Sequence, residues 1–208
     1  LLDLGIGSHQ LADTGRGFSF QNDSKLTMRF GEPTELPPAH VDALNMLTER
    51  IGHYPDVIEI IRGLTAKELA PVIQTYGEER YASRIAEAIK EQQPSTTKEL
   101  SEAIVSAIPA KYAHGRINPA TRTFQALRMA VNREIEVLET ALPQLVDVMA
   151  PGGILAVISF HSLEDRAVKN FFRQHVTLTG KSRILTKKPI TAGAAEVSRN
   201  PRARSAKL

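Results

Sequence analysis

The sequence predicts an α/β protein in which a parallel sheet is split by an inserted all-helical domain. Three observations support this prediction. A glycine turn at Gly152 and Gly153 leads into an apolar run that ends at Phe160, where polar residues begin. Residues 1–5 have the composition of a second strand end followed by a glycine loop. Between these segments, residues 40–109 carry apolar side chains at the three- and four-residue steps of amphipathic helices.

The first 31 residues are expected to form the end of a buried strand and then a long polar loop. Residues 1–5 read Leu-Leu-Asp-Leu-Gly, and glycine, serine and aspartate are frequent from there to Gly31. Long irregular loops in compact domains are usually functional. No glycine-rich strand-to-helix loop precedes this strand, so we expect an N-terminal portion of the protein to be absent from the chain.

The middle of the chain, residues 40–109, is predicted to be helical. Interruptions are expected near Pro71, which lacks a backbone N–H, and near Gly77. Thr96 and Glu99 have the spacing of a capping box, in which each side chain satisfies a backbone amide at a helix start.

The last part of the chain predicts the order helix, glycine turn, strand and helix, which is an α/β unit. One long amphipathic helix is expected over residues 124–142, and a strand over residues 154–160. Ser162, with Asp165 three positions later, is the expected N-cap of a helix over residues 163–173.

The predicted division of the chain has three parts. Residues 1–36 form the first part of the core, residues 37–114 the inserted helical domain, and residues 115–208 the second part of the core with a basic tail. From Lys181 onward the chain has eight lysines and arginines and one acid, Glu196. Such a tail is suited to contacting phosphate groups, and a solvated, frayed terminus is the alternative.

Composition excludes several classes of protein. A chain of 208 residues that is 42% hydrophobic can bury a core and is not a disordered protein. The absence of cysteine excludes a disulfide framework and is typical of a reducing compartment, so a cytoplasmic location is expected. The six histidines lack the paired spacing of a zinc site, so no metal is predicted. No apolar run approaches the roughly 20 residues that span a membrane.

Polar residues at the two predicted strand ends are the candidates for ligand binding and catalysis, because ligands of open α/β sheets bind at the carboxyl ends of strands. Asp3 can accept hydrogen bonds from a ligand's amine or hydroxyl groups, with Gly5 allowing close approach and Gln10 following in the same loop. The alternative is an aspartate that caps its own loop. His161 is the candidate acid or base, because imidazole is the side chain most often used in proton transfer, and a structural histidine is the alternative.

A second group of residues suits a nucleic acid. Arg16, Phe18 and Phe20 join a cation to two aromatic rings in a glycine-rich loop, a composition suited to base stacking and phosphate contact. The alternative is that the phenylalanines are core residues. Arg122 and Gln125 are three positions apart at a predicted helix start and can face one ligand together, or they belong to a solvated face.

Short blocks of residues along the whole chain form a further pattern. They are Asp3-Leu4-Gly5, Gln10-Leu11, Arg16-Gly17-Phe18-Ser19-Phe20, Met28-Arg29, Tyr76-Gly77-Glu78-Glu79-Arg80, Ala120-Thr121-Arg122-Thr123-Phe124-Gln125-Ala126-Leu127-Arg128, Val131-Asn132, Ser159-Phe160-His161-Ser162-Leu163-Glu164-Asp165-Arg166, Asn200-Pro201-Arg202 and Arg204-Ser205-Ala206-Lys207-Leu208. In this order they resemble the RsmH (MraW) family, S-adenosylmethionine-dependent methyltransferases that modify the N4 of a cytidine in 16S ribosomal RNA.

The resemblance implies a class I, Rossmann-like methyltransferase sheet with an inserted helical domain. It also implies S-adenosylmethionine as the methyl donor and 16S rRNA of the small ribosomal subunit as the partner, in the bacterial cytoplasm, with an organellar homologue and a homodimer left open. On the family's pattern, Asp3 and Gln10 contact the donor. Phe160 and His161, with Phe20, are the candidates for holding a flipped cytosine base. The residues expected to bind RNA are Arg16, Phe18, Phe20, Arg122, Arg128, Arg202, Arg204 and Lys207.

The chain departs from the family's usual pattern at two places. Gly7-Ser8-His9-Gln10 stands where Ser-Ser-Pro-Gln is usual, and Thr27 and Phe30-Gly31 stand where the family has acids. The segment 47–64 is also longer than usual. A noncatalytic RNA-binding or ribosome-assembly module is the alternative function, and a nucleotide-dependent oxidoreductase is a third. The isolated fragment is expected to be inactive, and to aggregate or to need a partner chain at its open sheet edge.

Overall fold

The computed structural model describes residues 1–7, 15–19, 22–31, 35–113, 118–180 and 182–208. Contacts divide the chain into two compact units. Residues 1–6 and 135–208 form the first, called the sheet unit here, and residues 7–134 form the second, called the helical unit. The assignment of domains to residues 1–36, 37–114 and 115–208 stays a prediction.

The secondary structure of the described residues is mainly helical. The strands are β1 (Leu2–Asp3) and β2 (Val157–Ile158). The helices are α1 (Asp42–Ile51), α2 (Val57–Gly63), α3 (Ala66–Gly77), α4 (Ala82–Gln92), α5 (Thr97–Ala107), α6 (Ala110–Ala113), α7 (Thr121–Asn132), α8 (Glu134–Asp147), α9 (Ser162–Thr179), α10 (Ala194–Arg199) and the 3₁₀ helix Pro201–Ser205. None of these helices combines the length and the apolar composition that crossing a membrane requires.

In the sheet unit, β1 and β2 pair in parallel although more than 150 residues separate them in sequence. Leu2 lies opposite Val157 and Asp3 lies opposite Ile158. The main-chain N–H of Leu4 continues the ladder by donating to the carbonyl of Ile158 at 3.0 Å. The prediction that these two segments share one parallel sheet is confirmed.

Strand β2 is shorter than the predicted strand over residues 154–160. Its ladder extends only as far as the short partner β1, which pairs with Val157 and Ile158. Ile154, the first residue of the predicted strand, is 69% exposed. An apolar run identifies a segment that suits a sheet, but its length as a strand depends on the partner that supplies hydrogen bonds.

The core of the sheet unit lies between the two strands and helices α8 and α9. Its fully buried and partly buried members are apolar and come from all four elements and their ends. They are Leu138, Leu142, Val157, Val168, Leu2, Leu4, Leu155, Ala167, Phe171 and Phe172. Because Leu2, Leu4, Leu155 and Val157 alternate along their strands, they face the same side of the sheet, and Asp3 points to the opposite side.

The single helix predicted over residues 124–142 is two helices, α7 and α8, separated at Arg133. Arg133 adopts a left-handed conformation with φ 50°, and its N–H closes the end of α7 on the carbonyl of Met129. Its buried guanidinium donates to the carbonyl of Ala130 at 3.3 Å and to the hydroxyl of Thr48 at 3.4 Å. The apolar period continues through this break, so the pattern alone indicates one helix.

The helical unit contains the helices predicted for the middle of the chain, and α3, α4 and α7 pack together in it. The capping box of Thr96 and Glu99 is confirmed at the start of α5. The interruption expected at Pro71 is wrong, since α3 runs through it, and α3 ends at Gly77 as predicted. A side chain on Gly77 would lie 2.7 Å from the carbonyl oxygen of Arg122, so a glycine is needed where α3 approaches α7.

The described part of the tail, residues 182–208, is folded against the sheet unit rather than frayed. Lys207 pairs with Ser159, just past β2, in antiparallel fashion: each main-chain N–H donates to the other's carbonyl, at 2.8 and 2.9 Å. Ile190 and Leu208 exchange a similar pair of bonds. An antiparallel segment at the edge of a parallel sheet is common in doubly wound folds.

Candidate functional site

The carboxyl ends of β1 and β2 meet at one edge of the sheet unit. Asp3 is exposed at the end of β1, and its carboxylate makes no hydrogen bond or ion pair with the described residues. Gly5 follows with φ 90°, and a side chain there would lie 3.3 Å from the ring of Phe160. The loop after β1 and the turn after β2 therefore touch, and a partnerless carboxylate beside a glycine suits a ligand's amine or hydroxyl groups.

His161 starts helix α9 as its N-cap residue. Its Nδ1 accepts a hydrogen bond from the main-chain N–H of Glu164 at 3.3 Å. The Glu164 carboxylate accepts from the main-chain N–H groups of Phe160 at 2.8 Å and of His161 at 3.3 Å. The prediction that Ser162, with Asp165, caps this helix is wrong, because a reciprocal capping box forms one residue earlier. Helix α9 also continues past residue 173, to Thr179.

The tail reaches the same edge of the sheet unit through a charged cluster, called the tail latch here. Asp165 accepts hydrogen bonds from the ammonium groups of Lys169 at 2.8 Å and of Lys207 at 2.9 Å. Burial alone would raise the pKa of Asp165, but the bonds from Lys169 and Lys207 outweigh it and hold this pKa below its ordinary value. Lys207, a predicted RNA-binding residue, thus has an internal partner.

We expect the tail latch to make stability depend on pH. Because the pKa of Asp165 is lower in the folded state, the latch stabilises fully above the ordinary aspartate pKa of about 4 and is lost as the pH falls through the folded-state value. Asp165→Asn should lower the free energy of unfolding by about 1 kcal/mol at neutral pH. Urea denaturation of both proteins should show this difference shrinking below about pH 4; a difference that stays constant would contradict the prediction.

In the helical unit, Arg16 and Phe18 belong to one aromatic cluster. The Phe18 ring, 8% exposed, stacks on Phe30 with centroids 5.5 Å apart. The Arg16 guanidinium lies 5.3 Å from the Phe18 centroid and donates to the carbonyls of Phe30 at 3.1 Å and of Arg29 at 3.4 Å. This arrangement matches the core-packing alternative for Phe18 in the described residues.

The turn at Met28 has an unusual main-chain conformation that a side chain of α7 stabilises. Met28 is buried and has φ 52°, which is uncommon for a residue with a side chain. Asn132 holds the turn from both sides, since its amide donates to the carbonyl of Met28 at 2.7 Å and accepts from the N–H of Phe30 at 2.9 Å. Asn132 therefore fixes the turn against α7.

Arg29, in the same turn, reaches the segment 47–64. Its guanidinium lies 3.6 Å from the Glu59 carboxylate and donates to the carbonyl of Tyr54. Glu59 also pairs with His53 at 2.7 Å, and this hydrogen bond raises the pKa of His53. The segment 47–64 thus contacts the turn through the ion pair of Arg29 with Glu59 and the hydrogen bond of Arg29 to Tyr54.

The predicted residues of α7 have intramolecular partners. Arg122 is exposed and donates to the carbonyl of Glu78 at 3.2 Å. Gln125 donates to the sulfur of Met129 at 3.6 Å. Arg128 makes a bidentate ion pair with Glu134, at 2.7 and 2.9 Å, with only 14% and 10% of the two side chains exposed.

The remaining predicted residues are in two places. Arg202 and Arg204 are exposed on the 3₁₀ helix of the tail. Gln10 and Phe20 lie outside the described residues. Within the described ranges, no group of three or more potential ligands is placed to hold a metal ion.

Sequence reasoning missed two residues that organise these segments, Glu164 and Asn132. The signal for Glu164 was present, because His161 and Glu164 have the same three-residue spacing as Thr96 and Glu99. Serine is the more usual N-cap, which favoured Ser162. No local signal marks Asn132, since its partners Met28 and Phe30 lie about 100 residues away in sequence.

Known proteins that resemble this chain do so along its whole length. The sequence model of the MraW methylase family matches residues 1–208. Proteins named ribosomal RNA small subunit methyltransferase H are 46% identical in Synechococcus elongatus, 47% in Synechocystis and 44% in Oleidesulfovibrio alaskensis. Each alignment covers all of this chain and 63%, 61% and 64% of the relative, respectively, so the chain spans somewhat under two thirds of their length. The match over every residue, at this identity, shows that the chain belongs to the MraW methylase family.

Proposed function

We propose that the protein carrying this chain transfers a methyl group from S-adenosylmethionine to the N4 amine of a cytidine in 16S rRNA of the small ribosomal subunit. The observation that carries the proposal is the juxtaposition of the Asp3–Gly5 loop and the Phe160–His161 turn at the carboxyl ends of β1 and β2. Open α/β sheets bind ligands at this edge. Family membership and the names of the relatives support the same function.

The proposed fold is a class I, Rossmann-like sheet interrupted by an inserted helical domain over residues 37–114. The parallel pairing of β1 with β2 supports it, because the helical segment lies between these strands in sequence. The antiparallel pairing of Lys207 with Ser159 supports a sheet that continues beyond β2.

Asp3, Gly5 and Gln10 are the proposed residues for the methyl donor, which supplies an electrophilic methyl group when bound. The Asp3 carboxylate suits the donor's amine and hydroxyl groups because it is exposed and has no partner in the described residues. Gly5 has no side chain, so the main chain is open to a ligand there. It also has a left-handed φ, which a larger residue adopts only with strain.

Phe160 and His161 are the proposed residues for the target cytosine. An exocyclic cytosine amine is a weak nucleophile, because its lone pair is delocalised into the ring, so the site must hold it in line for attack. Aromatic faces at the turn after β2 suit stacking on a base removed from its helix. Phe20 is proposed for the same role from its sequence block.

Arg202 and Arg204 are the strongest candidates for contacts to RNA phosphates, since both are exposed on a basic tail that packs beside the site. Arg122 is exposed as well, on α7. For Arg16, Phe18, Arg128 and Lys207, RNA contact would have to coexist with their intramolecular partners. A cytoplasmic location and a homodimer are also proposed, and light scattering of the purified protein tests the dimer.

Donor binding and product analysis test the proposed function. Titration calorimetry of the complete protein that carries this chain with S-adenosylmethionine should give a heat of binding. Incubation with the donor and small subunits from cells that lack the modification should yield N4-methylcytidine in digested 16S rRNA, read by mass spectrometry. Binding of RNA without binding of the donor would favour the noncatalytic module instead.

Replacing Asp3 is expected to weaken donor binding. Asp3→Asn removes the charge but keeps the shape, and hydrogen bonds to a charged group contribute about 1.5–3 kcal/mol, so the dissociation constant should rise by roughly 10- to 100-fold. Asp147→Asn, at the exposed end of α8 in the same unit, is the matched control and should leave affinity unchanged. Equal affinities for both variants would exclude Asp3 from the donor site.

A further inference from the structure

Glu164 joins three groups at the turn after β2. Its Oε2 accepts hydrogen bonds from the main-chain N–H groups of Phe160 and His161, and its Oε1 lies 3.1 Å from Nε2 of the His161 ring. The side chain is only 4% exposed. A buried carboxylate needs such partners, because burying an unpaired charge is costly.

The hydrogen bonds of His161 determine where its ring carries a proton. Nδ1 accepts from the N–H of Glu164, and an imidazole nitrogen that accepts a hydrogen bond has no proton of its own. The neutral ring must therefore be protonated at Nε2. That atom is buried beside Glu164 Oε1 and is out of line for a hydrogen bond with it, and no other described group bonds to it.

We propose that Glu164 is a positioning residue of the candidate site. Its carboxylate fixes the main chain of Phe160 and His161 and favours the His161 proton on Nε2, so neither ring nitrogen is open to take a proton from the substrate. His161 then serves as helix cap and as part of the base-holding turn, not as the proton acceptor. The kinetic part of this inference rests on the proposed function, whereas the protonation pattern of the ring does not.

Helix α5 supplies a closely matched control. There Glu99 Oε2 accepts from the N–H groups of Ser95 at 2.7 Å and of Thr96 at 3.2 Å, and the Thr96 hydroxyl accepts from the N–H of Glu99 at 3.3 Å. The capping geometry is the same as at Glu164, but the cap is a threonine and the site residues Asp3 and Phe160 belong to the other unit.

The Glu164→Gln variant separates positioning from simple capping. A glutamine oxygen can still accept from the two main-chain N–H groups, as in other capping boxes. Its amide NH₂ would then face the protonated Nε2 of His161, donor against donor. The ring can relieve this contact by moving its proton to Nδ1, which breaks the bond from the main-chain N–H of residue 164. In Glu99→Gln the oxygen can keep all three bonds that Oε2 accepts from Ser95 and Thr96, and the NH₂ takes the place of Oε1 on an exposed side chain.

The experiment combines imidazole ¹⁵N NMR with methyl-transfer kinetics, both on the complete protein that carries this chain. In the wild type, the His161 ring, assigned by its loss in His161→Gln, should show a protonated Nε2 and an unprotonated Nδ1. Glu164→Gln should shift both ring nitrogens and lower kcat about 10- to 100-fold, the range for a misplaced reacting group, with a smaller change in the KM of the donor. Glu99→Gln should change neither the ring signals nor kcat.

Two results would overturn the proposal: a wild-type ring protonated at Nδ1, or Glu164→Gln behaving like Glu99→Gln in both spectrum and kcat. If Glu164→Gln does not fold, the wild-type spectrum still decides the protonation pattern. A wild type with the expected ring but no methyl transfer would support the positioning of His161 and contradict the proposed function.

Discussion

Gly17→Ala is expected to destabilise the helical unit by about 2–5 kcal/mol, the combined cost of a left-handed residue and of overpacking. Gly17 has φ 76°, a conformation that alanine adopts only with strain. An added Cβ would also press against the carbonyl oxygen of Lys25 and lie 3.2 Å from Cα of Leu26. Both neighbours are main-chain atoms, so they cannot rotate away as a side chain would.

Gly52→Ala separates the two costs. Gly52 ends α1 with φ 78°, close to that of Gly17, but no atom lies within 4 Å of the added Cβ. This variant should lose only the conformational part, about 1–2 kcal/mol. Urea denaturation of both variants and the wild type measures the difference. Equal losses would mean that the space beside Gly17 is not restricted.

Gly17→Ala also tests the aromatic cluster of the helical unit, because Gly17 lies between Arg16 and Phe18. The close approach of the chain at Gly17 to Lys25 and Leu26 accompanies a hydrogen bond from the N–H of Met28 to the carbonyl of Arg16 at 2.7 Å. If Gly17→Ala opens this contact, the stacking of Phe18 on Phe30 should be lost with it.

Features encoded by neighbouring residues were predictable from the sequence. The capping box of Thr96 and Glu99 depends on three-residue spacing, and helices α1 to α5 depend on apolar periodicity. Each of these patterns is complete within a short stretch of sequence, so it predicts its element without knowledge of distant residues. The pairing of β1 with β2 was predictable for another reason. Both segments are short apolar runs that end at polar residues, and such runs are buried together in a parallel sheet.

Features that depend on distant partners were not predictable in this way. The helix break at Arg133 depends on a buried guanidinium that reaches Thr48, and no periodicity reveals it. The length of β2 depends on β1. The internal partner of Lys207 is Asp165, which is 42 residues away. A basic residue in a sequence is a candidate for phosphate contact until the structure shows a carboxylate beside it.

The candidate site has features that the sequence predicted and one that it did not. Asp3, Gly5 and His161 were predicted as site residues from strand ends, and Phe160 together with the family resemblance. The structure brings the loop and the turn that carry these residues into contact, and their roles stay predictions. The role of His161 as a helix cap was not identified, because an imidazole at the N-cap is less usual than the adjacent serine.

Arg128→Met is expected to lower the free energy of unfolding by about 3 kcal/mol, the low end of the range for removing one partner of a buried ion pair. Methionine keeps the apolar stem of arginine but cannot replace the bidentate bonds to Glu134. Arg122→Met is the matched control on the same helix. Arg122 is exposed and makes one hydrogen bond to a carbonyl, so its loss should be within about 1 kcal/mol.

A double-mutant cycle with Glu134→Gln isolates the pair. Because both single variants leave the opposite charge without its bidentate partner, the double variant should be more stable than the sum of the two losses predicts. Additive losses would mean that Arg128 and Glu134 do not stabilise each other.

The cycle also separates the two roles that the sequence allows for Arg128. A residue that only contacts RNA phosphates would leave the stability of the free protein unchanged, and its removal would weaken RNA binding and reduce the salt dependence of binding by about one charge. Removal of a residue that only forms the ion pair would lower the stability of the free protein and would leave RNA binding and its salt dependence unchanged. With 14% of its side chain exposed, and with Nε and one Nη of its guanidinium bonded to the Glu134 carboxylate, Arg128 has little surface left for a phosphate. We therefore expect the loss in stability, and an unchanged salt dependence, from Arg128→Met.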